Sequence, residues 1–129
     1  METTSARRIL LAEDEPHIVE SLSFLLKRAG FDVLVAMDGD AALSQALADP
    51  PAVVVLDVMM PGLDGFETLR RLRADPRGAR VPVIVLTAKG QREDRETALA
   101  SGADAFITKP FANAEVVAAV ARLAQAEIG

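Results

Sequence analysis

The stretch Ala52-Val53-Val54-Val55-Leu56-Asp57-Val58-Met59-Met60-Pro61-Gly62 decides the fold. An apolar run of strand length meets one aspartate, and Pro61-Gly62 then turn the chain into a loop. A carboxylate at such a junction is held rigidly by the strand and meets water on one side. Open α/β sheets place their reactive groups there, at the carboxyl ends of the strands. Three further runs end in the same manner. Ile9-Leu10-Leu11-Ala12 stops at Glu13-Asp14, Val83-Ile84-Val85-Leu86 at Thr87, and Ala105-Phe106-Ile107-Thr108 at Lys109-Pro110.

Stretches of helical period separate these runs. Pro16 suits a first helical turn, Ile18, Leu22, Leu25 and Leu26 repeat on one face, and Gly30 ends the helix. Asp32 to Met37 reads as the second strand, Asp38-Gly39 as a turn, and Ala42, Leu43, Ala46 and Leu47 as a short second helix. Helix three starts near Gly65, buries Phe66, Leu69 and Leu72, and turns Arg70, Arg71 and Arg73 outward. The fourth helix, Arg92 to Ser101, has weak apolar spacing and should be the least firmly packed. The last runs from about Ala114 to Ala126, with Asn113 as its N-cap. Strict βα alternation with continuously apolar strands implies a parallel sheet covered on both faces. The expected architecture is a flavodoxin-like, doubly wound, five-stranded sheet of order 2-1-3-4-5 with five helices. Residues 1–6 read as a flexible N-terminus and 7–129 as one domain.

Bulk properties narrow the function. Half of the 129 residues are hydrophobic and 26% are charged, which is globular composition. The net charge of −5 disfavours nonspecific binding to nucleic acid phosphates. There is no cysteine, so neither disulfides nor thiolate metal sites arise. No signal-peptide pattern and no bilayer-length apolar segment is present. A cytoplasmic, membrane-free location follows as the expectation.

In the expected strand order, strands one and three are neighbours, so Glu13, Asp14 and Asp57 meet at one crevice. Gathered carboxylates repel each other unless a cation joins them. Mg²⁺ (or Mn²⁺) suits the set, since it takes one or two carboxylates and keeps room for a phosphate. Asp14 and Asp57 read as direct ligands, Glu13 as a ligand acting directly or through a water, and the Met59 backbone carbonyl as completing the set. Such a site can hold a phosphoryl group in line with an Asp57 oxygen, the covalent nucleophile. Lys109 would neutralise part of the charge, and the Thr87 hydroxyl and Ala88 backbone N–H would donate the remaining hydrogen bonds.

Taken together, Glu13-Asp14, Asp57-Val58-Met59-Met60-Pro61-Gly62-Leu63-Asp64-Gly65, Thr87-Ala88 and Lys109-Pro110-Phe111 resemble the receiver domain of bacterial two-component response regulators, particularly single-domain chemotaxis-type regulators. The resemblance covers nearly the whole chain. It implies that Asp57 accepts a phosphoryl group from a phosphohistidine on a sensor histidine kinase or phosphotransfer protein. It also implies a cis bond at Lys109–Pro110 and slow autodephosphorylation. A switch is implied in which Thr87 moves toward the phosphoryl group and the aromatic residue of strand five, here Phe106, turns inward. Many relatives carry tyrosine there. With no hydroxyl, Phe106 implies a readout by packing alone, on the face of helix four, strand five and helix five.

Two other functions stay open on the residues. A Mg²⁺-dependent phosphohydrolase with Asp57 as nucleophile would usually place a second acid two positions later, where Met59 stands. A phosphate-independent interaction module of the same fold would lack metal binding and phosphoryl uptake. His17 reads as a surface residue, and Arg77 and Arg80 as part of a solvated face. The expected state is a monomer or weak dimer that binds no DNA itself. The short tail after Ile128 leans toward a stand-alone regulator rather than an excised receiver.

Overall fold

The computed structural model describes residues 8–60, 62, 64–87 and 92–128, excepting the side chains of 92–94 and 125–128. Residues 1–6, read as a flexible terminus, lie outside the described residues. The elements are β1 (Arg8–Ala12), α1 (Pro16–Arg28), β2 (Asp32–Ala36), α2 (Gly39–Ala48), β3 (Val53–Asp57), α3 (Gly65–Ala74), β4 (Val83–Thr87), α4 (Arg92–Ala100), β5 (Ala105–Thr108) and α5 (Asn113–Ile128). All neighbouring strands are parallel, in the order β2-β1-β3-β4-β5. This is the expected flavodoxin-like arrangement.

The side-chain period of two sends alternate strand residues into two cores. On one face Leu10, Val54, Leu56, Val83 and Val85 pack with Ala42 and Ala46 of α2, Leu69 and Leu72 of α3 and Ala98 of α4. On the other, Ile9, Leu11, Val53, Val55, Ile84 and Ile107 pack with Leu22 and Leu26 of α1 and Val116 and Val120 of α5. Every residue of β3 and β4 is buried, which fixes the height at which their terminal residues emerge.

Local chemistry sets where the helices begin. Glu15, ahead of Pro16, is the N-cap of α1, its side chain accepting from the N–H groups of His17 and Ile18 at 2.9 and 3.2 Å. Asp38, read as a turn residue, is the N-cap of α2 and accepts from Ala41 N–H at 2.7 Å. Strand two therefore ends at Ala36, and Met37 lies exposed beyond it. Asp64 caps α3 through Glu67 N–H at 2.9 Å. The next residue has to be glycine, because a Cβ at Gly65 would sit 2.4 Å from Val58 Cα. Helix α5 already includes Asn113, where a cap was expected.

Two packing expectations meet different fates. Among the side chains of α4 described, Arg95 to Ala100, only Ala98 is buried, in keeping with a lightly packed helix. Arg73, by contrast, does not join a solvated face. It bends under the end of α3 and bonds to the 78–81 and 102–104 segments.

Candidate functional site

Sheet register assembles the site. Ala12 pairs with Leu56, so the residues that follow each, Glu13 and Asp57, emerge side by side. Asp57 pairs in turn with Leu86, and Thr87 with Thr108. Val58 N–H donates to Leu86 O at 3.1 Å and Lys109 N–H to Thr87 O at 2.7 Å, so the loops leave the sheet at one level. The Lys109–Pro110 peptide bond is cis.

Glu13, Asp14 and Asp57 each offer a carboxylate oxygen, and these oxygens lie within 4.8 Å of one another. Glu13 and Asp57 are buried and Asp14 is half-buried. Asp57 is held at both oxygens. Met59 N–H donates to Oδ1 at 3.0 Å, and Lys109 Nζ to Oδ2 at 3.0 Å. Glu13 Oε2 accepts from Glu15 N–H at 3.1 Å, so the residue that caps α1 also orients this carboxylate. Lys109 Nζ is 3.5 Å from Glu13 Oε1, which has no hydrogen bond although it is fully buried.

These positions determine the electrostatics. Burial first, and the nearby Asp57 charge second, push Glu13 from the usual 4.5 up to about 7, against the pull of Glu15 N–H and Lys109. For Lys109, burial works toward a lower value. The hydrogen bond to Asp57 and the charges of Asp57 and Glu13 outweigh it and hold the amine above its usual 10.5. Among the described residues the pocket thus carries three carboxylates against one amine. A buried carboxylate oxygen without a hydrogen bond, beside two more hard oxygen donors, fits a divalent cation such as Mg²⁺.

The remaining expected residues fall nearby. Thr87 is buried at the end of β4, one position beyond the strand partner of Asp57. Met59 is exposed, with its backbone turned back onto Asp57, and Met60 fills the core. Phe106 is half-buried and packs against the α2–α3–α4 core. Ala88, the expected backbone donor, lies outside the described residues. Glu15 escaped the sequence reading because glutamate is an uncommon cap. The signal available was an acidic residue immediately before a proline at the start of a helix.

The sequence matches the response regulator receiver domain family over residues 9–121. The chain belongs to that family. It is 43% identical over 116 residues to the DNA-binding dual master transcriptional regulator RpaA of Synechocystis, a match covering 90% of this chain and 48% of that protein. The chain therefore spans about half the length of the curated relatives it matches. Solved structures agree on the fold. The receiver domain of a Pseudomonas aeruginosa sensor histidine kinase, with a magnesium ion coordinated in its active site cleft, superposes with a TM-score of 0.84 at 34% identity, covering 92% of this chain and 98% of that one. The Vibrio cholerae chemotaxis protein CheY4 superposes with a TM-score of 0.83 at 29% identity, covering 90% and 97%. No described helix is long and apolar enough to cross a membrane.

Proposed function

We propose that this receiver domain is a phosphorylation-controlled switch in which Asp57 takes a phosphoryl group from a phosphohistidine on a sensor histidine kinase or phosphotransfer protein. The observation that carries this reading is Asp57 itself. It is a buried carboxylate fixed at both oxygens, one of them by the Lys109 amine, with two more carboxylates close by.

Glu13, Asp14, Asp57 and the Met59 carbonyl would hold Mg²⁺ (or Mn²⁺). The bound ion supplies positive charge to the phosphoryl oxygens during transfer. An Asp57 oxygen forms a bond to phosphorus while the bond from phosphorus to the donor's imidazole nitrogen breaks, and the electron pair leaves with the imidazole. Lys109, already on Asp57 Oδ2, passes to a phosphoryl oxygen with little movement of its stem. The Thr87 hydroxyl and Ala88 N–H donate to the others. Hydrolysis of the acyl phosphate by water then resets the protein, which is regulation rather than turnover.

The same hydroxyl movement carries the signal. As Thr87 closes on the phosphoryl group, Phe106 repacks beneath the loop and alters the α4–β5–α5 face, where a partner reads the change. Phe106 has no hydroxyl to hydrogen-bond, so the readout is one of packing. With a net charge of −5, the domain acts through protein partners in the cytoplasm, as a monomer or weak dimer, without binding DNA itself.

Incubation with a small acyl phosphate and Mg²⁺ tests this. One base-labile phosphoryl group per chain is expected by intact mass, absent with EDTA and absent in Asp57→Asn. Uptake of the group by Asp57→Asn would sink the assignment.

A further inference from the structure

Arg73 lies at the opposite end of the sheet from Asp57, and its guanidinium is saturated. Nε donates to Gly102 O at 3.0 Å, and Nη2 donates to Gly102 O at 2.8 Å and Asp104 Oδ2 at 2.9 Å. Nη1 donates to Gly78 O at 2.9 Å and Val81 O at 2.6 Å. All five N–H donors of the group are therefore used. Asp104 Oδ2 also accepts from Val83 N–H at 2.8 Å, and Asp104 N–H donates to Val83 O at 2.8 Å, which joins the network to the first residue of β4.

The segment so gripped is the carboxyl end of α4. Gly102 has φ +103° and closes a Schellman cap, with Gly102 N–H on Leu99 O at 3.1 Å and Ala103 N–H on Ala98 O at 3.0 Å. Glycine is demanded twice over. Its φ is left-handed, and a Cβ there would lie 2.9 Å from Arg73 Cγ and Nε. Of the α4 side chains described, those of residues 95–100, Ala98 is the one buried.

We infer that Arg73 is the positioning residue of α4. It bolts the carboxyl end of that helix to α3 and β4, so that α4 can rearrange only by pivoting about Gly102. The anchor stands on its own geometry. Its consequence for signalling, that α4 tilts rather than slides when the domain is activated, rests on Asp57 being the phosphoacceptor.

Native-state hydrogen exchange on the full chain, without any activator, decides the anchor. In Arg73→Met, amides of residues 97–104 should lose protection by about tenfold or more while those of β1 and β3 keep theirs. Arg73→Lys should fall between, since an ammonium with three donors cannot span the four acceptors. Gly102→Ala, which keeps Arg73 but displaces it, should reproduce the same local loss. Unchanged protection in 97–104, or a uniform loss across all elements in both variants, would overturn the inference. Adding Mg²⁺ and beryllium fluoride to wild type then tests the pivot, with larger changes at 95–98 than at 101–104. Equal changes at both ends would overturn the pivot. No response at all, in wild type as in Asp57→Asn, would count against Asp57 and leave the anchor to be judged by the first arm.

Discussion

The two ends of the sheet treat charge in opposite ways. At the amino ends Arg73 spends every donor on carbonyls and on Asp104. At the carboxyl ends Glu13 and Asp57 share Lys109 with Asp14 close by, and Glu13 Oε1 is buried without a hydrogen bond. A planar fork that fits its acceptors locks backbone segments together, whereas a point charge on a flexible stem can change partners. The saturated cluster builds the frame. The under-neutralised one is left with free energy to gain from a cation.

Substitutions can break that contrast. Lys109→Ala removes the amine that pairs with both Asp57 and Glu13 and leaves these two carboxylates facing each other. Breaking a buried pair costs about 3–5 kcal/mol. Lys109 keeps 21% exposure, so roughly 2 kcal/mol is expected in metal-free denaturant melts. Mg²⁺ should restore most of it and bind about tenfold tighter than to wild type, as titration calorimetry would read. An unchanged affinity would mean that Lys109 and the cation do not share a field.

Glu13 sharpens the comparison through pH. Its value near 7 in the fold exceeds the usual 4.5, so the metal-free fold binds this proton more tightly than the unfolded chain does. The resulting stability is fully present below about pH 4.5 and is lost as pH rises through about 7. Between about pH 5 and pH 8, metal-free wild type should lose roughly 1–3 kcal/mol that Glu13→Gln does not lose. Saturating Mg²⁺ should flatten the difference. Parallel melts of the two proteins that fall together would show that Glu13 is not the strained group.

The smallest effect belongs to surface charges. Arg70 and Arg71 pair with Glu67, and Arg77 with Asp75, all in solvent contact. Both carboxyls are held below their ordinary values, first of all by hydrogen bonds from those arginines. Glu67→Gln should nonetheless leave the melting curve at neutral pH unresolved from wild type, because water and salt screen such pairs. A clear shift would mean that the basic stretch of α3 is a working part of the frame.

The strands and the acidic pocket were legible because each rests on local pattern. Continuous apolar runs such as Val53–Leu56 name buried strands, and the strand order then brings Glu13 beside Asp57 without knowledge of any side-chain conformation. Arg73 was not legible. It follows Leu72 at the border between the buried and exposed faces of α3, and helical period alone sends it to solvent. Its partners at Gly102 and Asp104 lie about 30 residues away, so only the folded chain reveals them. Asp38 was misread for a related reason. The Asp-Gly pair signals a turn and an N-cap alike, and the helix that follows decides between them.

Trapping the acyl phosphate tests the central claim most directly. After incubation with an acyl phosphate and Mg²⁺, borohydride reduction converts a phosphorylated aspartate to homoserine, which peptide sequencing by mass spectrometry locates. Homoserine is expected at position 57 and at no other acidic position. Recovery of intact Asp57 together with homoserine at Asp14 or elsewhere would contradict it.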